Sequence, residues 1–128
     1  MKTRIAMAVA GTAMTLALPA SAHHSFAMFD TTREIELRNA TVVEWQWTSP
    51  HTWLYVIVPG PNGGAGIKYS IEGGNPGLMR RQGFGKGSMA AGDHVTVYIA
   101  PLRNGQNGGA INAVRLANGT TLGERKHS

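Results

Sequence analysis

The sequence predicts a mainly β domain in which five strands close a small barrel and one short helix lies between the third and fourth strands. Three observations predict this fold class. Segments in which apolar and polar residues alternate recur along the chain, as in strands with one buried face. Loops rich in glycine, proline and asparagine separate these segments, and the 128 residues include 17 glycines and 6 prolines. One stretch, residues 75–83, carries instead the start and stop signals of a short helix.

The first 22 residues are typical of a cleavable secretory signal peptide. Lys2 and Arg4 give a positive start, an uncharged apolar run follows, and Ala-Ser-Ala at 20–22 fits the small residues that signal peptidase requires. The apolar run is shorter than the roughly 20 residues that span a bilayer, so an uncleaved membrane anchor is the less favoured alternative. We therefore expect a periplasmic or secreted protein whose mature chain begins at His23 and is not stably inserted in a membrane.

The first predicted strand, residues 34–47, is long and has its apolar side chains at odd positions. The members of this inner face are Ile35, Leu37, Val43, Trp45 and Trp47. Because a strand of this length does not stay flat, we expect a bend near Asn39 and Ala40. Since both tryptophans share the parity of the aliphatic residues, we expect the two indoles to pack in the core.

Four shorter strands and one helix follow the long strand. The strands are predicted at residues 53–58, 67–72, 95–99 and 110–116. Asn75 can cap the first helical amides, Pro76 suits the first helical position, and Gly83 is a plausible stop for a helix over residues 77–82. This order of elements matches the five-stranded OB barrel, and the alternative is another small β-sandwich or an open barrel.

We therefore divide the chain into four segments. They are a signal peptide at 1–22, an N-terminal arm at 23–33, an OB-like barrel at 34–123 and a disordered charged tail at 124–128. Removing Lys2 and Arg4 with the signal peptide leaves ten basic and seven acidic side chains, a net charge of +3. This mild excess differs from the dense basic stripe of a nucleic-acid-binding protein, so we expect no nucleic-acid partner. We expect a monomer.

Missing residues and motifs exclude several classes of chemistry. The chain has no cysteine, which excludes disulfides, thiol redox chemistry and thiolate metal sites. It also lacks the nucleophile-elbow serine motif, the HExxH zinc motif and the GxxxxGKS/T phosphate loop. An acid–base group of Glu72, Asp93 and His94 is conceivable, although Asp93 is better explained as the residue that closes a turn. We therefore expect that the protein is not an enzyme.

Four motifs together resemble a known family. They are His23-His24-Ser25-Phe26, Ser49-Pro50-His51-Thr52-Trp53, Ser70-Ile71-Glu72-Gly73-Gly74, and Gly92-Asp93 before a valine-rich strand. This combination resembles the family of bacterial exported proteins known as domain of unknown function 6152, over nearly the whole mature chain. Ser49 and Ala91 stand where asparagine and proline are usual in the family. The resemblance implies export and a shared fold, and it implies no particular activity.

The first candidate site consists of three histidines, His23, His24 and His51. Cleavage after Ala22 would give His23 a free α-amine beside its imidazole, and these two nitrogens can chelate one metal ion. A third nitrogen from His51 would complete a set that suits Cu(II) and resembles the histidine brace of copper proteins. His24 is an accessory ligand in this hypothesis, because adjacent side chains diverge in an extended arm. The alternative is that these histidines are polar surface and turn residues.

The second candidate site lies on the second and third strands, which form the usual ligand face of an OB barrel. Trp53, Tyr55, Tyr69 and Glu72 are its predicted residues, and aromatic rings at such positions can stack on a ligand. The alternative for the aromatic residues is packing in the core. Two function hypotheses result: an exported metal-binding protein, with copper as the favoured ion, or a metal-free module that binds a peptide, glycan or protein partner.

Overall fold

The structure is a computed structural model, and it describes Gly11 and residues 27–127. The described strands are β1 (Ile35–Gln46), β2 (Trp53–Val58), β3 (Ile67–Glu72), β4 (His94–Pro101), β5 (Gly108–Arg115) and β6 (Thr121–Gly123). The helix α1 (Pro76–Arg81) lies between β3 and β4. Within the described residues, no helix has the length and apolar character needed to cross a membrane. The predicted signal peptide lies outside the described residues apart from Gly11, and His23 and His24 lie outside them as well.

Strand pairing closes the barrel. β1 pairs antiparallel with both β2 and β4, while β2–β3 and β4–β5 are also antiparallel. A parallel pairing of β3 with β5, at Ser70 opposite Gly108, joins the two ends of the sheet. The prediction of a mainly β, five-stranded OB-like barrel with one short helix after the third strand is therefore confirmed. The additional β6 pairs with the end of β5 and was not predicted.

β1 changes its inner face twice, and the single parity predicted for it is wrong. Leu37 is buried, but the register shifts before Ala40, and the buried side chains become Ala40 and Val42. Asn39, in the first irregularity, has a positive φ of 53°. A second shift follows Val42 and leaves Val43 39% exposed. Each β-bulge adds an unpaired residue and so moves later side chains to the opposite face, which confirms the predicted bend and overturns the inward position of Val43.

The barrel interior is filled by aliphatic side chains from all five main strands. Those with no exposed surface include Leu54, Val56, Ile71, Val97, Ile99 and Val114. The helix α1 adds Met79 to this cluster, and Asn75 caps the helix by accepting a hydrogen bond from the Leu78 amide at 2.9 Å. Trp45 and Trp47 pack against the core as predicted. The Trp45 indole also donates to the Gly85 carbonyl at 2.9 Å.

The N-terminal arm lies against the end of β4. Phe29 forms an antiparallel bridge with Leu102 and is 5% exposed. On either side of it, the Asp30 amide donates to the Pro101 carbonyl at 2.8 Å, and the Arg103 amide donates to the Met28 carbonyl at 2.9 Å. These bonds hold residues 28–30 at the barrel opening formed by the ends of β3, β4 and β5.

The C-terminal residues are also bound to the barrel. The sequence predicted a disordered tail at 124–128, whereas the structure ties residues 124–127 to the barrel by hydrogen bonds. The Glu124 amide donates to the Asn112 carbonyl at 2.9 Å, and the Lys126 amide donates to the Glu34 carboxylate at 2.8 Å. The charges that suggested a solvated end have a buried partner on the barrel, and a local pattern does not reveal that partner.

Candidate functional site

His51 lies beside Glu72 because the pairing of β2 with β3 continues past the strand ends. The Thr52 amide donates to the Gly74 carbonyl at 3.0 Å, and the Gly73 amide donates to the Thr52 carbonyl at 2.8 Å. The turn before β2 is fixed by the Thr48 hydroxyl, which donates to the His51 carbonyl at 2.7 Å. As a result, Nδ1 of His51 lies 3.2 Å from Oε1 of Glu72 and 3.3 Å from the Gly73 carbonyl oxygen.

The contacts of the imidazole define which nitrogen carries the proton. Both neighbours of His51 Nδ1 are acceptors, so this nitrogen is the donor, and the neutral ring keeps its lone pair on Nε2. The His51 side chain is 40% exposed, whereas the Glu72 side chain is 16% exposed. Within residues 27–127, Nε2 of His51 has no hydrogen-bond partner. The ring is therefore oriented on its Nδ1 side by a largely buried carboxylate, and its other nitrogen, Nε2, can act as a metal ligand or a base.

Two pockets of about 200 Å³ each meet at this pair. His51 borders the first, which is lined mainly by apolar side chains, among them Leu78, Met79 and Ile111. The second pocket lies towards the N-terminal arm. Its side chains are those of Met28, Phe29, Trp53, Ser70, Glu72, Leu102, Gln106 and Asn107. Phe29 and Glu72 line both pockets and therefore form the wall between them.

The predicted metal ligands are described only in part. His51 is in the structure, while His23 and His24 are outside the described residues. Within the part of the chain that the structure describes, no three acidic or histidine side chains are close enough together to hold a metal ion.

The predicted aromatic site is divided between the two faces of the sheet. Trp53 pairs with Glu72, so both side chains point outward, and Tyr55 shares this face two residues further along β2. The Trp53 and Tyr55 rings stack with centroids 6.2 Å apart and planes inclined by 12°. Tyr69 pairs with the buried Val56, and its ring packs against the core on the inner face. The structure brings Trp53, Tyr55 and Glu72 together and separates Tyr69 from them.

The conceivable acid–base group of Glu72, Asp93 and His94 is not assembled. Glu72 pairs with Trp53, which in turn pairs with Gln46 at the end of β1. His94 pairs with Thr41, which precedes Gln46 by five residues, or roughly 16 Å along the strand. The Asp93 carboxylate accepts a hydrogen bond from the Ala90 amide at 2.9 Å and so closes the turn before β4, as the alternative proposed. The partner of Glu72 is His51, a pairing that sequence reasoning missed. The signal for it was available, because His51 precedes β2 and Glu72 ends the antiparallel β3.

A second group of charges lies on the outer face of β1, β4 and β5, and sequence reasoning missed it too. Glu34 has a side chain that is only 3% exposed. Its carboxylate accepts hydrogen bonds from Asn112 Nδ2 at 2.9 Å, Arg125 Nε at 3.0 Å and the Lys126 amide at 2.8 Å. Burial by itself raises the pKa of Glu34, but the bonds from the Lys126 amide, Asn112 and Arg125 outweigh it and hold that pKa below 4.5.

A wider pocket, about 560 Å³, opens beside this charged group. Its lining includes Glu36, Arg38, His94 and Arg115. The hydrogen bond from Arg38 lowers the pKa of Glu36, whose carboxylate also lies 3.8 Å from Arg115. Glu36 pairs with Arg38 and Arg115, His94 contacts Thr41 instead, and the pocket is wide and open. Size alone does not single out a functional site, and our candidate is the pair of His51 and Glu72.

Comparison with known proteins gives one result. The model of a family of unknown function, DUF6152, matches residues 11–112 of the 128-residue chain. The chain therefore belongs to this family, as its motifs predicted. No curated protein and no solved structure gives a match.

Proposed function

We propose that this protein is an exported barrel that binds copper, or a similar late first-row metal ion, through His51 and the N-terminal histidines. The observation that carries this proposal is that His51 Nδ1 contacts two acceptors, the Glu72 carboxylate at 3.2 Å and the Gly73 carbonyl at 3.3 Å. Metal-ligating histidines commonly donate their second ring N–H to a carboxylate or carbonyl, which fixes the tautomer and strengthens the ligand nitrogen. His51 Nε2 is the ligand atom that this arrangement presents.

The remaining ligands come from the N-terminus that cleavage after Ala22 creates. His23 supplies its α-amine and imidazole, and with His51 it gives three nitrogens, a set that suits Cu(II). An α-amine has a pKa of about 7.7–8.0, so a metal ion displaces its proton readily near neutral pH. His24 is an accessory ligand. The role is binding or delivery of the ion, and we propose no reaction.

The position of the arm supports this ligand set. Met28 lines the same pocket as Glu72, the residue that contacts His51. His23 precedes Met28 by five residues, and five extended residues span at most about 17 Å. Phe29, the next residue of the arm, lines the pocket that His51 borders. We propose that the arm uses this length to bring His23 to the exposed edge of His51.

The test is a Cu(II) titration of protein purified from a bacterial periplasm, with its N-terminus defined by mass spectrometry. Calorimetry is expected to give one ion per chain with submicromolar affinity, and electron paramagnetic resonance is expected to show coordinated nitrogen. His51→Ala and His23→Ala are each expected to weaken binding at least 100-fold. His94→Ala is the matched control, because His94 contacts Thr41 in the middle of β1, away from His51, and the substitution should leave the affinity unchanged. Affinity that survives His51→Ala would refute the proposal.

A second candidate function is the binding of a partner molecule at the outer aromatic residues. The stacked Trp53 and Tyr55 rings favour it, together with the Lys68 ammonium 5.6 Å from the Tyr55 ring centroid. Aromatic rings on this face of an OB barrel commonly carry ligand contacts. This function needs no metal ion and uses different side chains from the first.

A further inference from the structure

The pocket between Trp53 and the N-terminal arm combines two kinds of surface. Its apolar wall consists of Met28, Phe29, Trp53 and Leu102. Its polar edge consists of Ser70, Glu72, Gln106 and Asn107. The volume is about 200 Å³, which suits a small ring better than a long chain. A ligand that fits must be apolar on one face and rich in hydrogen-bonding groups around its rim.

We infer that this pocket binds one neutral sugar ring, such as the end residue of a glycan. The inference rests on the second candidate function and names its ligand class. A pyranose presents C–H groups on its faces, which pack on an indole, and hydroxyl groups around its edge. The hydroxyl of Ser70, the amides of Gln106 and Asn107 and the carboxylate of Glu72 supply both donors and acceptors for those hydroxyl groups.

The row of rings along β2 makes Trp53 the residue that faces the ligand. Lys68 pairs with Ile57, so it approaches the Tyr55 ring from one side, while Trp53 stacks on the other. Tyr55 therefore has a neighbour on each face. Trp53 is the end of this row, and its side chain lines the pocket. Tyr55 supports Trp53 from behind and does not line the pocket.

The charge of the pocket selects a neutral ligand. Among the described residues that line it, Glu72 alone is ionisable, and it is acidic. Phosphates, sugar acids and nucleic acids gain most of their affinity from lysine and arginine, which this lining lacks. A peptide that adds a strand is also disfavoured, because β3 already pairs with β2 on one side and β5 on the other.

The loop that carries the amide side chains is fixed to the barrel. The Ser70 amide donates to the Asn107 carbonyl at 3.2 Å, and the Gln106 amide donates to the Asn104 side chain at 3.0 Å. Gly108 then enters the parallel pairing with Ser70. The polar edge is therefore held in place relative to Trp53 before a ligand arrives, which lowers the entropy cost of binding.

The experiment is saturation-transfer NMR and tryptophan fluorescence on periplasm-purified protein with D-glucose, D-galactose, D-mannose, N-acetyl-D-glucosamine and D-xylose, and with D-glucuronic acid as the charged counterpart of glucose. We expect at least one neutral sugar to bind with millimolar affinity and its acidic counterpart to bind at least tenfold more weakly. If galactose is the sugar that binds, galacturonic acid serves as its acidic counterpart. Trp53→Ala is expected to weaken binding at least tenfold, and Trp53→Phe is expected to retain more of it. Thermal melts of both variants check that each remains folded.

Three results would overturn this inference: no neutral sugar binds, an acidic sugar binds more tightly than its neutral counterpart, or binding survives in folded Trp53→Ala. The metal proposal is tested independently of the sugar proposal. His51→Ala is expected to lose Cu(II) and keep the sugar, whereas Trp53→Ala is expected to lose the sugar and keep Cu(II). Measuring both ligands on both variants therefore tells the two failures apart.

Discussion

Glu34 and Glu72 are both carboxylates with largely buried side chains, 3% and 16% exposed, yet their partners differ in kind. Glu34 accepts from an amide side chain, a guanidinium and a backbone amide, so its two oxygens are occupied. Glu72 contacts the His51 ring, whose second nitrogen has no partner within residues 27–127. A carboxylate whose hydrogen bonds are complete stabilises the fold. In the function that we propose, Glu72 instead orients a ring whose second nitrogen binds the metal ion.

The surroundings of the two carboxylates extend this contrast. Around Glu34, the Arg125 guanidinium lies 4.2 Å from the centroid of the Tyr98 ring, and His127 Nε2 lies 3.2 Å from the Thr31 carbonyl. The C-terminal residues thus join β1 to the arm. Glu72 instead borders two pockets, whereas Glu34 is covered by the C-terminal residues. Disruption near Glu34 should therefore reduce stability, and disruption near Glu72 should reduce binding.

The largest effect is expected from Glu34→Gln. The amide keeps the shape but removes the charge and turns an N–H₂ group towards side-chain and backbone donors. Hydrogen bonds to a buried charged group contribute about 1.5–3 kcal/mol, so we expect the free energy of unfolding to fall by about 2–3 kcal/mol. Urea denaturation measures it. Glu124→Gln is the control in the same tail, because the Glu124 side chain is 83% exposed, and it should leave the midpoint unchanged.

The same variant carries a pH dependence of definite sign. The pKa of Glu34 is lowered in the folded protein, so its stabilising effect is present above the ordinary value of 4.5 and is lost as the pH falls through the folded pKa. The stability gap between wild type and Glu34→Gln should be constant from pH 7 to about pH 5 and shrink below about pH 4. A gap that persisted unchanged to pH 3 would contradict the role given to the carboxylate.

A smaller effect, and one on binding, is expected from Glu72→Gln. The glutamine oxygen can still accept from His51 Nδ1, but the negative charge that strengthens the ring as a ligand is gone. Loss of such an outer partner weakens metal binding by about 10–100-fold, and since orientation is kept we expect about tenfold for Cu(II) by calorimetry. Glu44→Gln removes the same charge from β1 beside Tyr55 and should have no effect. Equal losses in both variants would mean that overall charge, and not the His51 contact, sets the affinity.

Much of the barrel could be predicted because its signals are local. β2 and β3 begin and end at the predicted residues, and α1 begins at Pro76 after its Asn75 cap. The errors lie where a local pattern misleads. In β1, the apolar residues at odd positions suggest one continuous alternation between the two faces. Two bulges interrupt this alternation, so that Val42 is buried and Val43 is exposed. β6 has only three residues, too few to show a period.

The site was less predictable because its contacts join distant segments. His51 was identified as a candidate ligand, but its pairing with Glu72 depends on the register of β2 against β3. Tyr69 packs against the core, as its parity with Ile67 and Ile71 indicates, so placing it with Trp53 and Glu72 at one site was wrong. The burial of Glu34 likewise depends on a distant segment, because the C-terminal residues cover it.

The smallest effect is expected at Asn39, in the bulge that separates the half of β1 that follows Glu34 from the half that leads to His51. Asn39 has a positive φ of 53°, a conformation that asparagine tolerates better than alanine and that glycine adopts freely. We expect Asn39→Ala to lower the free energy of unfolding by about 1 kcal/mol and Asn39→Gly to change it by only a few tenths. Because the bulge shapes the barrel and contacts no ligand, the Cu(II) affinity of the folded protein should be the same in both variants. If alanine were tolerated and glycine were destabilising, the side-chain amide, and not the backbone angle, would hold the two halves of β1 in place.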